Sequence, residues 1–159
     1  MRYQIKPKVF TLGGAYHIRD EAGRDVFFVK GKAFSFANQF SFYDMGGNEV
    51  AFIKHQLVSY PTTYEIYKGG QYFGLVKQDP LTLLKRIFNV AVPGDSLVVE
   101  CSYTGRELTV MRAETTVAVA SRRLFSWVRA FDVEISDNED ALIILVSIMV
   151  VVTMLANSS

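Results

Sequence analysis

The sequence predicts an all-β chain closed into an antiparallel barrel, with one apolar C-terminal helix buried at its centre. Three observations predict it. Apolar and polar residues alternate at strand period over nearly everything from Val9 to Ile135, short turn clusters separate the alternating runs, and Ala141 to Ala156 (ALIILVSIMVVVTMLA) is apolar on every side except at Ser147 and Thr153. The first two describe a meander of hairpins. The third describes something that must be enclosed.

The alternation is read from apolar residues two apart, which share one face of an extended chain. Phe34 and Phe36, Phe40 and Phe42, Phe88, Val90 and Val92, Leu97, Val99, Cys101 and Tyr103, and Phe131, Val133 and Ile135 form such sets. Between them lie Asp20-Glu21-Ala22-Gly23, Asp44-Met45-Gly46-Gly47, Lys68-Gly69-Gly70 and Pro93-Gly94-Asp95. These are hairpin turns, in which Gly takes the positive φ that a tight reversal needs. The turns are in register with a repeat: Asp20 to Lys30 (DEAGRDVFFVK), Asp44 to Lys54 (DMGGNEVAFIK) and Tyr67 to Lys77 (YKGGQYFGLVK) align without gaps. A weaker fourth copy runs through Gly105 to Arg112. Lys30, Lys54 and Lys77 are 24 and 23 residues apart, a spacing that matches one hairpin plus its return, so the repeating unit is supersecondary. Closure of the sheet is a natural way to hide so many strand edges.

Asp79-Pro80-Leu81-Thr82-Leu83-Leu84-Lys85-Arg86 breaks the alternation, and an Asp cap followed by Pro at the first helical position predicts a short helix there. The larger helix is predicted over Asp137 to Asn157. Ser136-Asp137-Asn138-Glu139 has the spacing of a capping box, and acidic residues suit a helix N-terminus. Its β-branched residues are mediocre helix formers, so its surroundings must hold it helical. A buried helix, a membrane span and a strand are the alternatives for such a run. It is too long for an ordinary strand, short of the ~20 residues that cross a bilayer, and without flanking Lys or Arg. A helix of about 18 residues is roughly 27 Å long, enough to thread a barrel of tilted strands.

Composition limits the possible functions. The chain has 159 residues, the length of one domain, so residues 1 to 159 are expected to form a single unit. Half the residues are hydrophobic and 21% are charged, which excludes a disordered chain. With 17 Lys plus Arg against 16 Asp plus Glu, the net charge of +1 supplies no global field to gather nucleic acid. Any anion site must be local. One cysteine, Cys101, and no apolar leader segment lead to the expectation of a cytoplasmic protein.

A barrel of about twelve strands around a hydrophobic C-terminal helix is the tubby C-terminal-like architecture. Within it the chain resembles the LURP-one-related family, a relative of the phospholipid scramblases. The resemblance is carried by Asp20 and Gly23, VKGKAFS (Val29 to Ser35), FYDMGGNEVAFIK (Phe42 to Lys54), TYEIY (Thr63 to Tyr67), RRLFSW (Arg122 to Trp127), VEI (Val133 to Ile135) and EDALI (Glu139 to Ile143). Three positions depart from the family pattern. Arg129 and Thr153 stand where an Asp is usual, and Phe131 stands in place of a Tyr. The resemblance implies little chemistry; relatives in the superfamily bind phosphoinositides or are linked to lipid movement.

The residues themselves point away from catalysis. His17 and His55 have no second ligand at a metal spacing, Cys101 has no CxxC partner, and no Gly-x-Ser-x-Gly elbow or P-loop occurs. The expectation is no enzyme, no metal and no cofactor. The basic residues remain. Lys30, Lys54 and Lys77 recur at equivalent repeat positions, and Lys85-Arg86 and Arg122-Arg123 form adjacent pairs. They suit a patch for anionic phospholipid head groups, helped by apolar Leu81 to Leu84 and Phe125 to Trp127 at a membrane interface. The protein would then be peripheral to the membrane without spanning it. The alternative is a structural or protein-interaction barrel with no small ligand, its lysines protecting exposed strand edges.

Overall fold

The computed structural model describes residues 1–8, 14–31, 38–81, 85–123 and 130–157. The strands are β1 (Arg2–Pro7), β2 (Ala15–Arg19), β3 (Asp25–Gly31), β4 (Gln39–Tyr43), β5 (Glu49–Gln56), β6 (Thr63–Lys68), β7 (Gln71–Gln78), β8 (Arg86–Val92), β9 (Asp95–Cys101), β10 (Glu107–Arg112), β11 (Thr115–Arg122) and β12 (Phe131–Ile135). One helix, α1 (Ala141–Asn157), follows. Each strand pairs antiparallel with its chain neighbours, and β1 pairs with β12 to close the barrel. Arg2 faces Glu134 and Ile5 faces Phe131 across that seam. Closure leaves no strand edge exposed, as the many short strands require.

Alternation along each strand sends one set of side chains inward. Ile5, Ile18, Val29, Phe40, Phe42, Ile53, Ile66, Val76, Phe88, Val99 and Val110 are fully buried and pack in one cluster with α1. Every residue from Ile143 to Met154 is buried. Successive residues on a helix point about 100° apart, so an unbroken buried run means protein on all sides. The two hydroxyls in that run satisfy themselves: Ser147 Oγ donates to the Ile143 carbonyl and Thr153 Oγ1 to the Met149 carbonyl, both at 2.8 Å. The Thr153 position therefore carries a bonded hydroxyl into the core. Among the described residues no helix is long and apolar enough to cross a membrane.

The helix begins at Ala141, later than the expected Asp137. Asp140 is its cap, with Oδ1 accepting from the Leu142 amide at 3.0 Å and its carbonyl from the Ile144 amide at 3.3 Å. Ser136 to Glu139 instead form a turn, in which the Glu139 amide donates to the Ser136 carbonyl. The expected capping box fails because the Glu139 carboxylate is taken by Arg112. That guanidinium donates to both Asp95 oxygens at 2.9 and 2.7 Å and to both Glu139 oxygens at 2.6 and 2.9 Å. It ties the ends of β9 and β10 to the approach of α1.

The meander gives the barrel two unlike ends. At the turn end, β2–β3 and β4–β5 share one design. Asp20 Oδ1 accepts from the amides of Ala22 and Arg24, and Asp44 Oδ1 accepts from those of Gly46 and Asn48. Gly23 and Gly47 sit at the same place with φ of 78° and 83°. The repeat is therefore structural through its first three copies. The fourth is out of phase: Gly105 lies in the β9–β10 turn at the opposite, loop end, where the Ser102 hydroxyl accepts from the Glu107 amide at 3.1 Å. Tyr103 also lies in that turn and is exposed, not on the inner face of β9. Of the short helix expected over Asp79 to Arg86, Thr82 to Leu84 lie outside the described residues. On its flanks Asp79 Oδ1 accepts from the Leu81 amide at 2.9 Å, and Arg86 already begins β8. Phe34, Phe36 and Phe125 to Trp127 likewise lie outside the described residues.

Three predictions follow from this packing. Val146 is fully buried, so Val146→Asp places a charge without a partner in the core at a cost of several kcal/mol. The variant should lose its cooperative melt and its near-UV circular dichroism. Gly74 on β7 faces the backbone of β8, where an added Cβ would run into the Ala91 carbonyl oxygen. Gly74→Ala should lower stability by about 1–3 kcal/mol in urea unfolding.

The third concerns acid. Arg112 holds the Asp95 and Glu139 carboxyls below their ordinary values of 3.8 and 4.5, chiefly through its hydrogen bonds. The folded protein thus binds these protons less readily than the unfolded chain. The stability they add is present above the ordinary values and is lost as pH falls through the lower folded ones. The urea midpoint should drop below about pH 4, and Arg112→Met should shrink that drop.

Candidate functional site

The basic residues singled out in the sequence all lie toward the loop end. The repeat explains the first three: Val29, Ile53 and Val76 point into the core, so Lys30, Lys54 and Lys77 point outward, on every second strand, near the same rim. All three are exposed, and among the described residues none has a carboxylate within ion-pair distance. Lys54 stands opposite Glu65 on β6, and Lys77 lies between Thr63 and Asn89.

The adjacent pairs divide. Lys85 Nζ is 3.7 Å from Glu100 Oε2, and the Arg86 guanidinium sits 6.0 Å from the centre of the Phe88 ring. Arg122, the last residue of β11, is exposed, whereas Arg123 is bound to both oxygens of Asp132 at 2.9 to 3.1 Å. That carboxylate keeps the Arg123 guanidinium above its ordinary pKa, through hydrogen bonding first. Arg123 is therefore committed within the fold.

The seven do not gather in one patch. Neighbouring strands are ~4.8 Å apart, so the Lys85–Arg86 and Arg122–Arg123 pairs, three strands apart, are separated by roughly 14 Å along the wall. Lys30 on β3 lies elsewhere on the rim. It lines a separate concavity of about 610 Å³ that runs along the wall, with Lys8, His17, Arg19, Asp25, Phe27 and Phe28 and, toward the turn end, Asp44 and Met45. His17 Nδ1 lies 3.3 Å and Arg19 Nε 2.9 Å from the same oxygen of Asp25. Lys8, His17 and Arg19 escape sequence reasoning because Lys8 follows β1 while His17 and Arg19 lie on β2, and only the β1–β2–β3 register brings them beside Lys30 on β3.

Charge is polarised between the two ends. Asp20, Glu21, Asp44, Glu114, Asp137 and Asp140 lie in or beside the connections of the turn end. At the loop end Lys30, Lys54, Lys77, Arg106 and Arg122 join the two pairs, and basic residues outnumber acidic ones among the described residues. A near-neutral chain thus carries a dipole of charge along the barrel axis. Local potentials of this kind attract charged partners where the net charge does not.

Among the described residues no group of three or more His, Cys, Asp or Glu converges as metal ligands would. His55 stacks on Tyr64 with ring centroids 4.5 Å apart, and burial lowers its pKa. Burial pushes the Cys101 thiol up, where it donates to the Ser102 carbonyl at 3.5 Å. Neither residue carries the environment of an activated nucleophile or base.

The family model described as LURP-one-related matches residues 1–152. A crystal structure of a protein from Arabidopsis thaliana superposes with a TM-score of 0.68 at 18% identity, over 94% of this chain and 88% of that one. Curated proteins yield no match. The likeness to the Arabidopsis protein is one of fold.

Proposed function

Because the chain belongs to the LURP-one-related family and is itself a closed barrel around one helix, we propose that it is a non-enzymatic module that binds anionic phospholipid head groups. The single observation that carries this reading is the polarisation of charge, with basic side chains around the loop end and acidic ones around the turn end. Lys and Arg near an anionic membrane each contribute about 1 kcal/mol, so several on one rim give weak, salt-screened association. Phosphoinositide-like groups, with several phosphates each, suit guanidinium and ammonium donors spaced along a rim. The protein would sit in the cytoplasm and at the membrane surface. Arg123 drops out of the binding set because Asp132 already occupies it, and Arg106, exposed in the β9–β10 turn, joins it.

Sedimentation with phosphatidylserine and phosphoinositide vesicles, against phosphatidylcholine vesicles, tests this. The parent should bind the anionic vesicles and release them as salt is raised. Neutralising Lys54, Lys77, Arg106 and Arg122 to Gln should remove most of that binding while leaving the melting temperature nearly unchanged, since exposed charges add little to folding. A parent that ignores anionic vesicles at low salt would instead leave a barrel whose partner is a protein.

A further inference from the structure

Among the described residues, the five most exposed of the large apolar side chains lie at one end of the barrel. Leu57, Val58 and Tyr60 in the β5–β6 connection, Leu81 after β7 and Tyr103 between β9 and β10 are 72%, 101%, 89%, 86% and 88% exposed. These are successive loop-end connections along one arc of the rim, from β5 to β10. At the turn end Met45 and Tyr72 are less exposed, at 59% and 56%, and Tyr72 packs edge-on against Tyr67 with ring centroids 6.0 Å apart. Isolated apolar residues on a surface need no explanation, but a set at the tips of successive loops does.

The same arc is basic. Lys54 on β5, Lys77 on β7, Lys85 before β8 and Arg106 between β9 and β10 alternate with the apolar tips around it. Apolar tips set among cations have one natural counterpart, a surface with anionic groups outside and hydrocarbon just beneath. A bilayer offers both at once, hydrocarbon for side chains that the barrel itself leaves uncovered and phosphates for the cations between them. Tyr60 and Tyr103 add amphipathic rings of the kind that settle at a bilayer interface.

We propose that the barrel docks on an anionic bilayer through the β5-to-β10 arc of its loop end, with Leu57, Val58, Tyr60, Leu81 and Tyr103 entering the interfacial layer. This rests on the head-group reading above and adds the pose. Lys54, Lys77, Lys85 and Arg106 meet lipid phosphates around the inserted tips. The acidic turn end faces away, and the C-terminus of α1, near Tyr64 through the Asn157 Nδ2 hydrogen bond of 3.1 Å, points toward the membrane. The docked arc is one side of the rim, so the barrel axis tilts. Lys30 and its concavity lie off the arc and stay in water.

The test uses the full chain with an environment-sensitive fluorophore on Val58→Cys, on Leu81→Cys and, at the turn end, on Met45→Cys. The native thiol, Cys101, is buried and spared by labelling. On phosphatidylserine vesicles the probes at positions 58 and 81 should shift to the blue and be quenched by lipid with a nitroxide on the upper acyl chain, and the probe at 45 should not. A Leu57→Ser, Val58→Ser, Leu81→Ser variant should lose roughly tenfold or more in vesicle affinity while keeping the salt dependence of the parent. If the parent binds but those probes stay aqueous, or if the Ser variant binds as the parent does, the pose is overturned and the head-group reading stands. Quenching at position 45 would overturn it by inverting the barrel. A parent that binds no vesicle overturns both.

Discussion

A helix with no polar face cannot rest against a surface; it must be surrounded. The side chains from Ile143 to Met154 are buried whichever way they point, and that demand sets the rest of the molecule. A sheet can enclose a cylinder only by closing, so β1 must meet β12. The strands must tilt to make room, and their inner faces must be filled to helix depth by Phe40, Phe42, Phe88 and the branched residues around them. At Gly74 the wall has no room for a side chain, because a Cβ there would meet the Ala91 carbonyl of β8.

The charge dipole grows out of the same architecture. A meander places its short reversals at one end, and a carboxylate at the head of a short reversal is the cheapest acceptor for the amides that the turn leaves unpaired. Asp20 and Asp44 do this directly, Asp140 does it for the first turn of the helix, and Asp95 and Glu139 are held there by Arg112. Acidic residues are drawn to the turn end by folding. In a chain with nearly equal numbers of both signs, the other end is left basic. The polarity available for binding is thus in part a by-product of how the turns are closed.

What could be read in advance follows from range along the chain. Period-two alternation, the turn glycines, the repeat that sets Lys30, Lys54 and Lys77 on alternate strands, and the enclosed helix are all local patterns. A local pattern misleads where a distant residue intervenes. Ser136 and Glu139 have the spacing of a capping box, but Arg112, far back on β10, claims the glutamate, and Asp140 caps instead. Gly105 looks like a fourth repeat because Ser102 caps its turn as an aspartate would, but the turn is on the other end. Arg123 looks as available as Arg122 until β12 brings Asp132 beside it. The grouping of Lys8, His17 and Arg19 with Lys30 is a matter of register between strands, which no single stretch of sequence encodes.

The seam between β1 and β12 has a consequence for how the chain is made. Its first strand has no partner on that side until residues near 131 to 135 exist, and the core has no centre until the helix that follows is complete. A nascent chain therefore emerges as a row of hairpins with two open edges and an exposed apolar lining. It stays in that state until α1 has been made. Closure of the seam and filling of the core both wait on the segment after β11, so the hairpins before it have no complete barrel to join.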